Sequence, residues 1–395
     1  MEHHLALGRL VTDARSERFF APCPRGLEAL LADEIAAIGG SDIAATLGGV
    51  AFAGPFDLCY RANLESRLAS RVLWRVAQAP YRTEQDIYRA CYDLRWPDWF
   101  LSRHTIKVKV SARHSPLKSL EFVTLRVKDA VCDTFRARSG RRPTVETSRP
   151  DIRIDAFLDA NAVTFYLDTS GEALFKRGWG KVAAEAPLRE NLAAGLLKLA
   201  GWTPGKVLLD PMCGSGTILI EAAQVALGIA PGLRRRFAFE KLNNFDEKAW
   251  QGLRRAAAGR QRPPEPCALY GLDDADFALQ TTRGNLEGAG VAGAVQVAKG
   301  DVLSASPPAA KGILIANPPY GVRTGDAARL EQFYPEVGHA LKQRFAGWRA
   351  YLFTADLRLP KLIGLAPSRR VPLFNGPLEC RLYEFKMVEG SMRRR

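Results

Sequence analysis

The 395-residue chain lacks any hydrophobic run long enough to cross a bilayer, which takes about 20 consecutive apolar residues. Its first residues, MEHHLALGRL, also lack the apolar core that follows the charged start of a secretory signal. We therefore expect a soluble, cytoplasmic protein with no membrane partner. At this length two or three domains are expected, and a hydrophobic content of 47% is sufficient for packed cores.

Paired cysteines are missing as well. The seven cysteines are scattered, with no Cys-x-x-Cys pair and no nearby Cys/His cluster, so the pattern predicts neither a disulfide framework nor a zinc site. Acidic residues are scarce beside basic ones, since 42 Asp and Glu stand against 56 Lys and Arg, for a formal net charge of +14. Because Lys and Arg gain affinity by releasing counterions from phosphates, this excess favours a polyanionic partner over a role in solubility alone.

The stretch from Lys206 to Glu221, KVLLDPMCGSGTILIE, has the pattern of a strand, a tight turn and the start of a helix. An apolar run ends at Asp210, Gly214 and Gly216 form the turn, and the apolar residues after it recur at the spacing of a helix that lies on a sheet. Glycine in such a turn permits a positive φ and lets a ligand approach the free amides of the first helical turn. The dinucleotide pattern Gly-x-Gly-x-x-Gly is only half met, because its third glycine is missing.

A second stretch, from Gly312 to Gly321 (GILIANPPYG), is a buried-type strand that runs directly into Asn317, Pro318, Pro319 and Tyr320. In a doubly wound α/β sheet the carboxyl ends of the strands open into one crevice. We therefore expect the glycine loop and this N-P-P-Y tetrapeptide to lie close together.

Together the two stretches resemble motifs I and IV of the class I S-adenosylmethionine-dependent methyltransferases that modify exocyclic amines. The resemblance implies an α/β fold with a Rossmann-like seven-stranded sheet, which a strand at residues 348–356 and a terminal hairpin at residues 371–388 complete. It also implies S-adenosyl-L-methionine as the cofactor, with no metal. The cofactor residues implied by motif I and by two later strand ends are Asp210, Pro211, Cys213, Gly214, Ser215, Gly216, Thr217, Asp273 and Asp301.

The two strand-end acids have separate expected roles. Asp273 ends the strand Ala268 to Asp273 (ALYGLD), where a carboxylate can accept hydrogen bonds from the hydroxyls of a ribose. The neighbouring Asp274 stays open as an alternative, because an insertion lengthens the chain between the glycines and this acid. The resemblance assigns the adenine amine to Asp301, whereas by residue type alone an Asp after a strand more often caps a helix.

The N-P-P-Y tetrapeptide has the groups that methylation of a base amine requires. Such an amine is a poor nucleophile, because its lone pair is delocalised into the ring. The side-chain oxygen of Asn317 and the carbonyl of Pro318 can accept its two N–H bonds and favour the pyramidal nitrogen. Pro319, like Pro318, fixes the backbone, and Tyr320 offers a stacking face for a flipped base. A covalent mechanism would need a cysteine nucleophile, but Cys213 lies in the glycine loop, where packing is its expected role.

The N-terminal part alternates short strands and helices, which predicts two small α+β units at residues 1–68 and 69–168, with a catalytic domain at 169–395. The two units resemble a ferredoxin-like domain followed by a THUMP domain, as found in RNA-modifying enzymes. A cationic face is expected in the second unit, and its clustered bases are Arg113, His114, Lys118, Arg126, Lys128, Arg136, Arg138, Arg141 and Arg142.

Two further segments adjoin the catalytic motifs. Residues 169–186 are predicted to be a linker, and with the helix that Pro187 begins they resemble motif X of THUMP-linked methyltransferases, which flanks the methionine end of the cofactor. The resemblance assigns Glu190, and with it Arg189, to that end, although structural salt bridges explain both residues equally well. The basic insertion at residues 231–266 is predicted either to flank RNA or to be an exposed helical excursion.

Taken over the whole chain, the resemblance is to THUMP-linked RNA methyltransferases, nearest to the type that makes N2-methylguanosine in bacterial 23S rRNA. It implies a monomer acting on 23S rRNA or a pre-ribosomal particle, with Arg323 and Lys342 as candidate phosphate contacts. The N-P-P-Y tetrapeptide can accept the N2 amine of guanine or the N6 amine of adenine, so methylation of adenine N6 in RNA or DNA remains an alternative. Methylation of a protein glutamine is another. The basic N-terminal region favours RNA as the substrate. A non-catalytic ribosome-assembly protein and a nicotinamide dehydrogenase are the remaining alternatives, and the intact motif residues argue against both.

Overall fold

The computed structural model describes residues 16–179, 188–319 and 326–388, with the backbone alone for residues 326–329. Pro187, Tyr320 and Arg323 lie outside these ranges, so their predicted roles stay predictions. Two seven-stranded sheets dominate the described chain, one before and one after the linker. No helix in these ranges is both long and apolar enough to cross a membrane.

The N-terminal sheet is built from seven strands with five helices among them. In chain order the elements are β1 (Glu17–Pro22), α1 (Glu28–Ala37), β2 (Ser41–Thr46), β3 (Gly49–Gly54), α2 (Leu58–Glu65), β4 (Leu73–Pro80), α3 (Glu84–Tyr92), α4 (Trp96–Trp99), β5 (Ile106–Ala112), α5 (Leu120–Ser139), β6 (Ile152–Leu158) and β7 (Ala162–Asp168).

The strand order of this sheet is β2-β3-β1-β4-β7-β6-β5. The first three strands come from the predicted ferredoxin-like unit and the last four from the predicted THUMP unit. They join where β1 pairs with β4, with Phe19 opposite Trp74 and Phe20 opposite Leu73. The two predicted units therefore share one continuous sheet, which the sequence does not show, because a strand pattern does not reveal which edges pair. The boundary placed at residue 68 remains a prediction.

The described residues of the C-terminal half form the second sheet, six helices and two 3-10 turns. The elements are α6 (Glu190–Leu199), β8 (Leu208–Asp210), α7 (Thr217–Ala226), a 3-10 turn (Ala238–Lys241), α8 (Glu247–Gly259), β9 (Leu269–Asp273), α9 (Asp276–Ala289), a 3-10 turn (Ala292–Ala294), β10 (Gln296–Lys299), β11 (Ile313–Ala316), α10 (Asp326–Arg344), β12 (Arg349–Thr354), α11 (Leu359–Leu362), β13 (Arg369–Asn375) and β14 (Leu378–Lys386).

The second sheet has the order β10-β9-β8-β11-β12-β14-β13. Its first five strands are parallel, and the β13–β14 hairpin closes it antiparallel against β12. The central strands are apolar on both faces, as expected for a parallel sheet covered by helices on both sides. This is the predicted class I methyltransferase sheet, with β8 and β11 side by side at its centre.

The basic insertion is not an exposed excursion. Its aromatic side chains pack on the N-terminal half: the ring of Tyr60 lies 4.5 Å from that of Phe239 and 6.1 Å from that of Trp250, and Trp250 is only 1% exposed. The Tyr60 hydroxyl also accepts the amide N–H of Asp246 at 3.0 Å. Sequence analysis did not identify this apolar face because the segment is rich in charged residues. Its burial stabilises the contact between the two halves of the molecule.

A buried ion cluster forms a second fastening between the halves. Glu221, on α7 directly behind the glycine loop, is fully buried and pairs with Arg177 through contacts of 2.9 and 3.2 Å. Its second oxygen also lies 3.3 Å from Nη1 of Arg67, which follows α2. Deleting the N-terminal half would remove Arg67 and leave Glu221 paired with Arg177 alone, so the helix that follows the glycine loop would lose one of its contacts.

Candidate active site

The glycine loop joins β8 to α7, as the sequence predicts. Gly214 has φ +57° and Gly216, the N-cap of α7, has φ +76°, so both occupy the left-handed region that favours glycine. A Cβ on Gly216 would lie 2.9 Å from Cγ2 of Thr282, whereas one on Gly214 would meet no described atom within 4 Å. The loop is therefore closely packed on one side and open to a ligand on the other.

Side chains from α9 hold this loop in place. The Thr282 hydroxyl donates to the carbonyl of Gly214 at 2.7 Å, and Nδ2 of Asn285 donates to the carbonyl of Ser215 at 3.0 Å. Both side chains are buried on the inner face of the helix. Sequence reasoning missed them, although polar residues three apart on the inward face of a helix are a signal that a buried backbone needs partners.

Asp210, the last residue of β8, is buried beneath the loop at 2% exposure. Burial raises the pKa of its carboxyl to about 8; the amide of Met212, which donates to Oδ1 at 3.3 Å, opposes the shift, and the charge of Asp273 adds to it. Burial therefore favours the protonated carboxyl over the ionised one. A cation or hydrogen-bond donor of a bound ligand would favour its ionised form.

The rest of motif I is packed into the same loop. Pro211, Cys213, Ser215 and Thr217 are all buried, and the hydroxyls of Ser215 and Thr217 lie 3.2 Å apart. Burial raises the pKa of the Cys213 thiol, so the thiol stays protonated. This favours the packing role over that of a nucleophile.

The strand-end acids differ in their surroundings. Asp273 ends β9 and accepts the N–H of Gly214 at 2.9 Å through Oδ2 and that of Ala275 at 3.1 Å through Oδ1. It therefore lies against the glycine loop, with lone pairs left for further donors, while Asp274 is exposed. Asp301 is also exposed and lies beyond the end of β10, where Oδ1 accepts the N–H of Leu303 at 2.9 Å. Its assigned contact with adenine stays a prediction.

The N-P-P loop lies beside the glycine loop, because β11 pairs in parallel with β8 through Ile313 and Leu314. Asn317 follows β11 directly and is half-buried. Its Oδ1 is fully buried yet has no hydrogen-bond partner among the residues that the structure describes. An acceptor in this state costs free energy unless a ligand supplies the missing donor.

Two neighbours complete the N-P-P loop. Pro318 is buried and Pro319 exposed, and the carbonyl of Pro319 accepts the hydroxyl of Tyr334 at 2.7 Å. Tyr334 lies on α10 and is fully buried. Sequence reasoning missed this residue, since nothing in the local pattern around position 334 indicates the partner of its hydroxyl.

The predicted flanking residues have different environments. Glu190 is buried in the first turn of α6, a helix that packs against α7, while the guanidinium of Arg189 lies 4.9 Å from the ring of Phe175. Nζ of Lys342 donates to the carbonyl of Gly364 at 3.0 Å, so this lysine is engaged with the chain itself.

The predicted cationic face is divided between the two ends of α5. Arg113, His114 and Lys118 precede this 20-residue helix and Arg138, Arg141 and Arg142 are at or beyond its end, about 30 Å away. All six are exposed. The bases between them are engaged within the protein: Arg126 stacks 4.2 Å from the ring of Tyr88, Lys128 pairs with Asp129 and Arg136 with Asp133.

The chain matches three protein families in succession. Residues 18–73 match the RlmL ferredoxin-like domain, residues 81–168 the THUMP domain, and residues 177–384 the RMKL-like methyltransferase domain. These matches confirm the predicted domain types and their order.

The chain is 38% identical over 375 residues to a putative RNA methyltransferase from Synechocystis, with 95% of this chain and 98% of that protein covered. It is 40% identical over 381 residues to the ribosomal RNA large subunit methyltransferase K/L of Allochromatium vinosum, covering 93% of this chain but 51% of that protein. The chain thus spans about half the length of the K/L relatives.

Among solved structures, a putative methyltransferase complexed with S-adenosylhomocysteine superposes with a TM-score of 0.85 at 28% identity, covering 95% of this chain and all of that one. The loop geometry fits such a ligand, because the space above Gly214 is open and the first turn of α7 faces it. This chain belongs to the family of S-adenosylmethionine-dependent, RMKL-like methyltransferases that carry a ferredoxin-like and a THUMP domain ahead of the catalytic domain.

Proposed function

We propose that this protein methylates the exocyclic N2 amine of a guanine in 23S rRNA. The observation that carries the proposal is the buried, unpartnered Oδ1 of Asn317 at the strand end beside the cofactor loop. An acceptor kept without a partner in the described part of the protein is suited to an N–H donor that arrives with the substrate.

The cofactor, when bound, supplies an electrophilic methyl group on a sulfonium. The groups that would hold it are the open side of the glycine loop with the first turn of α7, the carboxyl of Asp210 and, for the ribose, Asp273. Glu190 and Asp301 are proposed to lie at its methionine and adenine ends, respectively. All of these residues come from the carboxyl edge of the sheet or from helices packed on it.

The protein's own contribution to the chemistry is positioning and charge stabilisation. Asn317 Oδ1 and the carbonyl of Pro318 accept the two N–H bonds of the amine, which localises its lone pair toward the methyl group. As the nitrogen–carbon bond forms and the carbon–sulfur bond breaks, the nitrogen becomes cationic, and the two acceptors stabilise that charge. One N–H proton then passes to solvent. Tyr320, which lies outside the described residues, is proposed to stack on the flipped base.

RNA is the proposed substrate because the catalytic domain follows a THUMP domain and the relatives are named RNA and ribosomal RNA methyltransferases. The exposed bases at the two ends of α5 would contact phosphates. Guanine N2 is proposed from the resemblance of the domain order alone, because Asn317 and Pro318 accept an adenine N6 amine equally well. An rRNA substrate would place the reaction in the cytoplasm, and we propose that the protein acts as a monomer.

The test is to incubate the protein with isotopically labelled S-adenosylmethionine and unmodified 23S rRNA, and to identify the labelled nucleoside by mass spectrometry. We expect N2-methylguanosine. Labelled N6-methyladenosine would overturn the choice of base and leave the catalytic site intact. The absence of any labelled nucleoside, with S-adenosylhomocysteine binding shown in the same sample, would favour a non-catalytic RNA-binding role.

A further inference from the structure

We propose that Tyr334 is a positioning residue for methyl transfer, because its hydroxyl fixes the N-P-P loop that presents Asn317 and Pro318 to the substrate amine. The inference rests on the function proposed above for Asn317. It assigns a part in the reaction to a residue outside the sequence motifs.

The composition of the loop limits how it can be fastened. Pro318 and Pro319 have no N–H, so across these two residues the main chain can be held only through its carbonyls. The carbonyl of Pro318 is the proposed second acceptor for the substrate and must stay available. The carbonyl of Pro319 is the remaining main-chain acceptor, and the Tyr334 hydroxyl donates a hydrogen bond to it at 2.7 Å.

The proline rings also make this single hydrogen bond effective. Each ring restricts φ to near −65°, so the direction of the loop depends mainly on the remaining ψ angles. A hydrogen bond that fixes the Pro319 carbonyl in space also limits the movement of Pro318 and Asn317, because the two restricted φ angles leave little freedom between them. Because a displacement of about 1 Å can cost about a hundredfold in rate, a contact that orients the acceptors affects turnover without touching the substrate.

Tyr334 also interacts with the neighbouring strand. The side chain of Thr354, which ends β12 and is fully buried, acts on the phenol and lowers the pKa of Tyr334. Oγ1 of Thr354 in turn accepts the N–H of Asp356 at 3.0 Å.

The phenol keeps its proton throughout the working range of pH. Burial raises the pKa of Tyr334 to about 12, with a further contribution from Asp356, while Thr354 and Arg358 oppose the shift. The hydroxyl therefore remains a donor to the Pro319 carbonyl, and the contact does not act as a pH switch.

The test is Tyr334→Phe in the full chain, which removes the hydroxyl and keeps the ring. With labelled S-adenosylmethionine and unmodified 23S rRNA, we expect kcat to fall about tenfold, while KM for the RNA and the Kd of S-adenosylhomocysteine change less than about twofold. The pH profile of kcat between pH 6 and 10 should keep its shape.

Tyr383→Phe is the matched control. Tyr383 is also buried, although it lies on the strand β14 and not on a helix, and it donates to a main-chain carbonyl, that of Leu357, at 3.4 Å. Removing this hydroxyl should leave kcat within about twofold of the wild-type value, since Leu357 is not in the loop. An equal loss of kcat in both variants, or a loss in Tyr334→Phe that is matched by weaker S-adenosylhomocysteine binding, would show a general structural role and overturn the inference.

Asn317→Ala, measured in parallel, separates this inference from the proposed function. If Asn317→Ala is slow and Tyr334→Phe has the wild-type kcat, the positioning role is wrong and the catalytic site stands. If Asn317→Ala has the wild-type kcat, the proposed site fails and the inference fails with it. In the double variant we expect a smaller loss than the product of the single losses, because both residues act through one loop.

Discussion

At the carboxyl end of β8 the carbonyls of the glycine loop are held by side chains of α9, whereas at the neighbouring end of β11 the side-chain oxygen of Asn317 has no partner in the described chain. The first loop is complete before any ligand arrives. In the second loop the Tyr334 hydroxyl holds the carbonyl of Pro319, while the buried Oδ1 of Asn317 is left without a partner among the described residues.

This difference matches two different demands. A cofactor that is the same in every turnover can be held by a rigid backbone cradle, whose shape is set by glycine φ angles and by Thr282 and Asn285. A substrate amine must be bound more strongly in the transition state than before it, so its acceptors have to be positioned yet unpaired. We therefore expect variants in the glycine loop after β8 to affect cofactor binding, and variants in the N-P-P loop after β11 to affect turnover.

The largest expected effect comes from filling the cofactor cradle. Gly216→Arg places a side chain where a Cβ alone would lie 2.9 Å from Thr282, at a φ of +76° that disfavours any residue other than glycine. We expect S-adenosylhomocysteine binding, measured by calorimetry, to be lost. Unchanged binding would show that the cofactor lies elsewhere, and the role assigned to the glycine loop would be wrong.

Gly205→Arg is the control for that variant. Gly205 also has a positive φ, +91°, but a Cβ there meets no described atom within 4 Å, and the residue precedes β8 at the opposite edge of the sheet. The same substitution strains the backbone there as well, but it should leave S-adenosylhomocysteine affinity unchanged.

A smaller effect concerns the pH dependence of the cradle. The pKa of Asp210 is raised from 3.8 to about 8 by burial, so the folded protein retains a proton that the unfolded chain loses. Stability should therefore fall as the pH rises from about 4 to about 8, and Asp210→Asn should be spared this loss. We expect the urea midpoint of Asp210→Asn relative to the wild type to be higher at pH 8 than at pH 5.

Asp274→Asn, which removes a charge from the exposed neighbour of Asp273, is the control for net charge. A difference between Asp210→Asn and the wild type that stays constant from pH 5 to pH 8 would contradict the assignment of a protonated Asp210.

The sequence predicted those parts of the site that local pattern determines. The ends of β8, β9 and β11, the glycine turn and the position of Asn317 follow from apolar runs that stop at polar or glycine residues. Thr282, Asn285 and Tyr334 could not be predicted in the same way, because their roles depend on which helix packs on which loop. For the same reason the burial of Trp250 was missed in a segment rich in arginine.

The division between the two strand ends is tested most directly by Asn317→Ala, with S-adenosylhomocysteine affinity and methyl transfer to 23S rRNA measured on the same preparation. Asn375→Ala, the same change at another half-buried asparagine of this sheet, is its control. We predict that turnover falls by about tenfold to a thousandfold, the scale of losing one well-placed transition-state hydrogen bond, while cofactor affinity stays within about twofold. A wild-type rate for Asn317→Ala, or a parallel loss of cofactor binding, would contradict the account.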